Sequence, residues 1–98
     1  MPLNLNQRKY LRGLSHSLHP LVMIGEKGVT PGTIKELNIA LESHELVKIR
    51  LSAPDRDSKS LWLGELIGAS LSELVQQIGH IATVYRKHPK EVKIPLPK

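Results

Sequence analysis

The sequence predicts an α/β fold: a compact single-domain sandwich in the order α-β-α-β-α-β-β, with helices packed on a four-stranded mixed sheet. Three observations lead there. The apolar residues switch repeatedly between helical spacing and strand alternation along the chain. The breaks between these runs fall at Pro20, at Thr30-Pro31 and at Gly79-His80, residues suited to ending or starting elements. Finally, 98 residues that are 40% apolar are enough for one domain with a modest core.

The first helix is predicted over Asn4 to Leu18. Leu11, Leu14 and Leu18 share a face there, with Tyr10 beside them. Asn4 and Gln7 stand at capping-box spacing, and Pro20 forces an end by about His19. Leu21 to Ile24 is short, apolar and followed by Gly25, and reads as a buried strand. Thr30 then caps a helix with Pro31 in its first position. Ile34, Leu37, Ile39, Ala40 and Leu41 give that helix its apolar side, and it should end near Ser43-His44. Glu45 to Leu51 alternates, with Leu46, Lys48 and Arg50 on one side and Val47, Ile49 and Leu51 on the other. It reads as a strand with a basic face and an apolar face.

A polar connection, Ala53 to Asp57, leads to a third helix capped by Asp57 or Ser58 and carrying Leu61, Trp62, Glu65, Leu66 and Ala69. Beyond it the periodicity is ambiguous. Leu63, Ile67, Leu71, Leu74 and Ile78 would suit one long helix. Gly68 and Ser70 favour a stop, and Gly79-His80 would join strands Glu73–Ile78 and Ile81–Tyr85 as a hairpin. Residues 1–98 form one domain, with 87–98, which contain three prolines, as an extended or flexible tail.

Composition narrows the function. The only aromatic residues are Tyr10, Trp62 and Tyr85, so Leu, Ile and Val must build the core. The absence of cysteine rules out disulfides and thiolate metal sites. No run is long and apolar enough to cross a bilayer, and the N-terminus lacks the pattern of a signal peptide. A cytoplasmic protein without a membrane partner is expected. Fourteen Lys and Arg against nine Asp and Glu give a net charge of +5, which suits a polyanionic partner.

The segment Gly25-Glu26-Lys27-Gly28 lies between a strand and a helix N-terminus. Glycine permits close backbone approach to an anion, and the first helical turn offers unpaired N–H groups. Lys27 adds charge at the tip, while Glu26 opposes it. Neither a Walker loop nor a dinucleotide fingerprint fits; the nearest mechanical parallel is the GxxG loop that clamps a nucleic-acid backbone. Further basic clusters stand at Arg8, Lys9 and Arg12, at Lys48 and Arg50, and at Arg86 and Lys87.

Several stretches together resemble the YhbY-type CRM domain family, found in chloroplast RNA splicing and ribosome maturation. They are Tyr10 to His16, Val22 to Thr30, His44 to Arg50, Gln77 to His80 and Val84 to Arg86. The resemblance covers nearly the whole chain. It implies a fold similar to the C-terminal domain of bacterial translation initiation factor three, and it makes Glu73–Ile78 a strand. It also implies RNA contact at the loop. The RNA-binding residues expected are Gly25, Glu26, Lys27, Gly28, Thr30, Arg8, Lys9, Arg12, Lys48, Arg50, Arg86 and Lys87. Many members carry a neutral or basic residue in place of Glu26. Stand-alone bacterial members are associated with precursors of the large ribosomal subunit, so the partner expected is ribosomal RNA, bound by a monomer.

No catalytic arrangement is legible. Asp55 and Asp57 suit a turn and a helix cap, and the five histidines lack regular ligand spacing. Neither a metal, a cofactor nor a small-molecule substrate is expected. The competing reading is a basic protein-interaction adaptor that binds no RNA directly.

Overall fold

The computed structural model describes residues 2–98. Its elements are α1 (Leu5–Ser15), β1 (Pro20–Ile24), α2 (Pro31–His44), β2 (Leu46–Leu51), α3 (Arg56–Ser70), β3 (Glu73–Ile78) and β4 (Ile81–Tyr85). The predicted order holds, and the ambiguous stretch is the β3–β4 hairpin. The sheet runs β1-β2-β4-β3, with β1 parallel to β2 and the other neighbours antiparallel.

Local chemistry sets most boundaries. Asn4 and Gln7 form the capping box of α1, and Thr30 and Thr33 form that of α2, with Pro31 in its first position. The first helix stops at Ser15, short of Leu18. The buried Ser15 hydroxyl donates to the Arg12 carbonyl at 2.8 Å, and the chain then turns through His16 and Ser17. The third helix is capped by Asp55 rather than Asp57 or Ser58. Asp55 Oδ1 accepts the Ser58 N–H at 2.7 Å, and this bond holds its carboxyl below the usual range. Leu71, in the left-handed conformation at φ 56°, ends α3 and separates it from β3.

The two faces of the sheet are covered unequally. Leu37 and Leu41 of α2 and Leu63 and Leu66 of α3 pack on Val22, Ile24, Val47, Ile49, Leu51, Ala82 and Val84. The opposite face has a smaller cover. There, Leu11 of α1 packs with Leu46, Val75 and Tyr85, flanked by Leu3, Leu18, Ile94 and Leu96. Three expectations change. The predicted buried strand is buried on alternate residues only: Val22 and Ile24 are inside, while Leu21 and Met23 are 54% and 64% exposed. This strand lies at the sheet edge and has helices on one face only. The supposed basic face of β2 is divided, because Leu46 lies beneath α1. Ile39, assigned to the apolar side of α2, is exposed.

Glu45 is the other departure. It is not the first residue of a strand but the cap that follows α2, with φ 63° and ψ −41°, and it is fully buried. Its carboxylate accepts the backbone N–H groups of His88 (2.6 Å), Lys93 (2.8 Å) and Ile94 (2.6 Å). These bonds hold residues 87–98, which contain no helix or strand, against the α1 side of the sheet. Gln7 Nε2 adds a bond to the Pro97 carbonyl. The adjoining Tyr85 phenol is pushed above its ordinary range by burial, then by the Glu45 and Glu73 charges.

Candidate nucleic-acid interface

Strand register organises the open part of the sheet. Met23 of β1, Arg50 of β2, Ile81 of β4 and Ile78 of β3 form one cross-strand row. Pro20, Lys48, Thr83 and Gln76 form the next, where Thr83 is buried and the other three are half-buried. The row after that, with Leu46, Tyr85 and Glu73, reaches the α1-covered end. A β-bulge between Leu74 and Gln76 brings Gln76 and Ile78 into these two rows. Arg50, Met23 and Ile78 are exposed, and Lys48 is half-buried.

Three connections meet at the open end. The Ser52 N–H donates to the Ile24 carbonyl and the Leu51 N–H to the His80 carbonyl. The 25–28 loop, the start of the β2–α3 connection and the hairpin turn therefore border the Arg50 row. This end also carries Arg56 and His80, both exposed, which the sequence reading passed over. His80 became visible only once β4 was placed antiparallel to β2, which sets it beside Leu51, and Arg56 opens α3 at the end of the connection that follows Leu51.

The loop itself is a tight turn closed by the Gly28 N–H donating to the Gly25 carbonyl at 3.0 Å. Glu26 and Lys27 project from it, exposed. Its two glycines differ. Gly28 is buried at φ +71°, and a Cβ there would meet the Trp62 ring at 3.0 Å. Gly25 is exposed, and a Cβ there would meet nothing within 4 Å. Gly28 thus shapes the turn, and Gly25 leaves its outer surface open. Gly28→Ala is expected to cost about 2 kcal/mol, because the left-handed conformation penalises a side chain and Trp62 must shift. Gly25→Ala should stay within about 0.5 kcal/mol. Denaturant unfolding of the two variants checks this, and equal losses would contradict it.

The helix N-terminus offers less than the sequence implied. Pro31 has no N–H, and the Thr33 N–H is taken by Thr30 Oγ1 at 3.2 Å. Thr30 is itself occupied, since its N–H donates to Thr33 Oγ1 at 2.9 Å. Gly32 alone keeps an uncommitted N–H among these first positions.

The remaining predicted residues are not gathered at this end. Arg8 donates to the Leu74 carbonyl and pairs with Glu73 Oε2 at 3.2 Å. Arg86 donates to Asn38 Oδ1 (2.8 Å) and the Ser70 carbonyl (2.7 Å), with Glu42 at 3.8 Å. Both arginines tie elements of the fold together. Lys9 is exposed and Arg12 half-buried on α1, and Lys87 is exposed just beyond β4, past the covered end of the sheet. Among the described residues, Lys27, Lys48, Arg50 and Arg56 have no ion-pair partner.

Residues 3–86 match the model of the CRS1/YhbY (CRM) domain. The chain belongs to this family. Among CRM relatives similar to it, a Pseudomonas aeruginosa protein named "Probable RNA-binding protein" is 43% identical over 93 residues, 95% of this chain and 89% of that one. A Haemophilus influenzae protein named "RNA-binding protein" is 40% identical over 96 residues, 98% of this chain and 96% of that one. In structure, the CRM domain described here is similar to a Staphylococcus aureus protein solved in solution. The TM-score is 0.82 at 35% identity, covering 98% of this chain and all of the other.

Proposed function

We propose that this protein binds ribosomal RNA in precursors of the large ribosomal subunit and acts there as an assembly factor. In this reading it works as a cytoplasmic monomer, by binding rather than catalysis and without a cofactor. Phosphates lie against the Gly25–Gly28 turn and on the Lys48–Arg50 side of the sheet. The observation that carries it is the meeting of unpaired cations, Lys27, Lys48, Arg50 and Arg56, around one uncovered sheet end. Kinship with proteins named for RNA binding supports the same partner. The large-subunit precursor comes from the resemblance to stand-alone bacterial members.

Asp55 is engaged as the cap of α3, its Oδ1 accepting the Ser58 N–H. The apolar residues of the Arg50 row, Met23, Ile81 and Ile78, favour a second reading, docking of a protein partner.

Sedimentation of a cell lysate tests the partner. Co-migration with precursor large subunits is expected, and absence from every ribosomal fraction at low and moderate salt would contradict the proposal. Replacing both Lys48 and Arg50 with alanine tests the face. The slope of log affinity against log salt should become shallower by about 1.4, or 0.7 per phosphate on single-stranded RNA. The thermal midpoint should barely move, and an unfolded double variant would make these residues structural.

A further inference from the structure

Beside the Lys48 row, the C-terminal end of α1 and the start of β1 enclose a groove of about 440 Å³. Its walls are apolar: Leu14, Leu18, Leu46, and Ile94 from the tail that Glu45 holds in place. Its polar lining is His19, His44, Ser17 and Lys48, with no carboxylate. The nearby Glu45 carboxylate is turned to three backbone N–H groups. An apolar slot of this size with a few convergent polar groups is the usual form of a small-ligand site.

We propose that the groove receives one unstacked nucleobase of the bound RNA, with Lys48 holding an adjoining phosphate. The inference rests on the RNA-binding reading and extends it from backbone contact to base contact. Lys48 makes the link, because it lines the groove and also stands two residues from Arg50 on the same sheet face. That spacing is about 7 Å along the strand, the scale of one extended nucleotide step. Charge complementarity points to the same occupant: a cationic rim over an apolar slot suits a nucleotide, whose charge is on its phosphate and whose base is flat and weakly polar. Histidine rings are stacking surfaces for bases, so His19 and His44 supply what the scarcity of Phe, Tyr and Trp withholds.

The test uses the full chain, a mixed-sequence hexaribonucleotide, and the same hexamer with its bases removed. The parent should bind the intact hexamer about tenfold more tightly than the abasic one, the scale of one lost base contact. Substituting both His19→Ala and His44→Ala should remove most of that difference while leaving abasic binding unchanged. Amide NMR shifts at Leu18 and His19 should appear with the intact hexamer only, while Lys48, held on a phosphate, should respond to both hexamers. Equal affinity for the two hexamers, or a silent groove while Lys27 and Arg50 respond, would overturn the base assignment and leave the phosphate reading standing. Binding of neither hexamer at low salt would overturn both. Groove shifts that follow protein concentration and ignore RNA would assign the groove to a second copy of the chain and overturn the inference.

Discussion

Replacing Glu45 with alanine is expected to lower the stability of the fold by about 3–5 kcal/mol, the range for stranding the partners of a buried charged group. The Glu45 side chain is fully buried, and three backbone N–H groups converge on its carboxylate within 2.8 Å. Without it those donors must find water, so the tail should peel from Leu11, Leu46 and Tyr85 and uncover the smaller apolar cluster. The backbone at Glu45 adds a second handle. A residue at φ 63°, ψ −41° is strained by about 1–3 kcal/mol, a conformation kept only where the surroundings over-determine it. Glu45→Gly should therefore lose less stability than Glu45→Ala while releasing the tail equally. Hydrogen exchange at His88, Lys93 and Ile94 with urea unfolding would check both parts. Unchanged protection at these amides would contradict the role given to the carboxylate.

The largest effect on binding is expected from the turn. Changing both Glu26→Asp and Lys27→Asp exchanges the positive tip charge for a second negative one. The turn-closing bond from Gly28 to Gly25 and the Trp62 contact are backbone and glycine features, so they remain. RNA affinity should fall by tenfold or more at low salt, while stability stays within about 0.5 kcal/mol. Lys27→Ala should give a smaller loss and make the salt slope shallower by about 0.7. If the double aspartate variant binds as tightly as the parent, the turn is only a connection, and the sheet face must carry recognition without it.

What the sequence made legible was local. Asn4 with Gln7, and Thr30 with Pro31, signal helix starts through near neighbours in the chain, and these starts are where they were predicted. The β3–β4 hairpin was not decided by periodicity, since Leu63, Ile67, Leu71 and Leu74 also suit a helix; the family resemblance favoured the strand. The stop is made by Leu71 at positive φ, a conformation its residue type does not advertise. Glu45 was hidden for a different reason. Its partners are backbone groups 43 to 49 residues away, which leave no pattern in side-chain spacing. The same holds for the basic clusters. Arg8 and Arg86 looked as available as Arg50, but their acceptors lie 66 and 16 to 48 residues distant, so only the folded chain separates structural cations from free ones.

The central claim is that free cations at one sheet end neutralise RNA phosphates, and the salt dependence of RNA affinity tests it most directly. Lys27, Lys48, Arg50 and Arg56 imply about four neutralised phosphates, so log affinity should fall against log salt with a slope of about −3 on single-stranded RNA. A flat salt profile would contradict the account and transfer the open face, with Met23, Ile78 and Ile81, to an apolar partner.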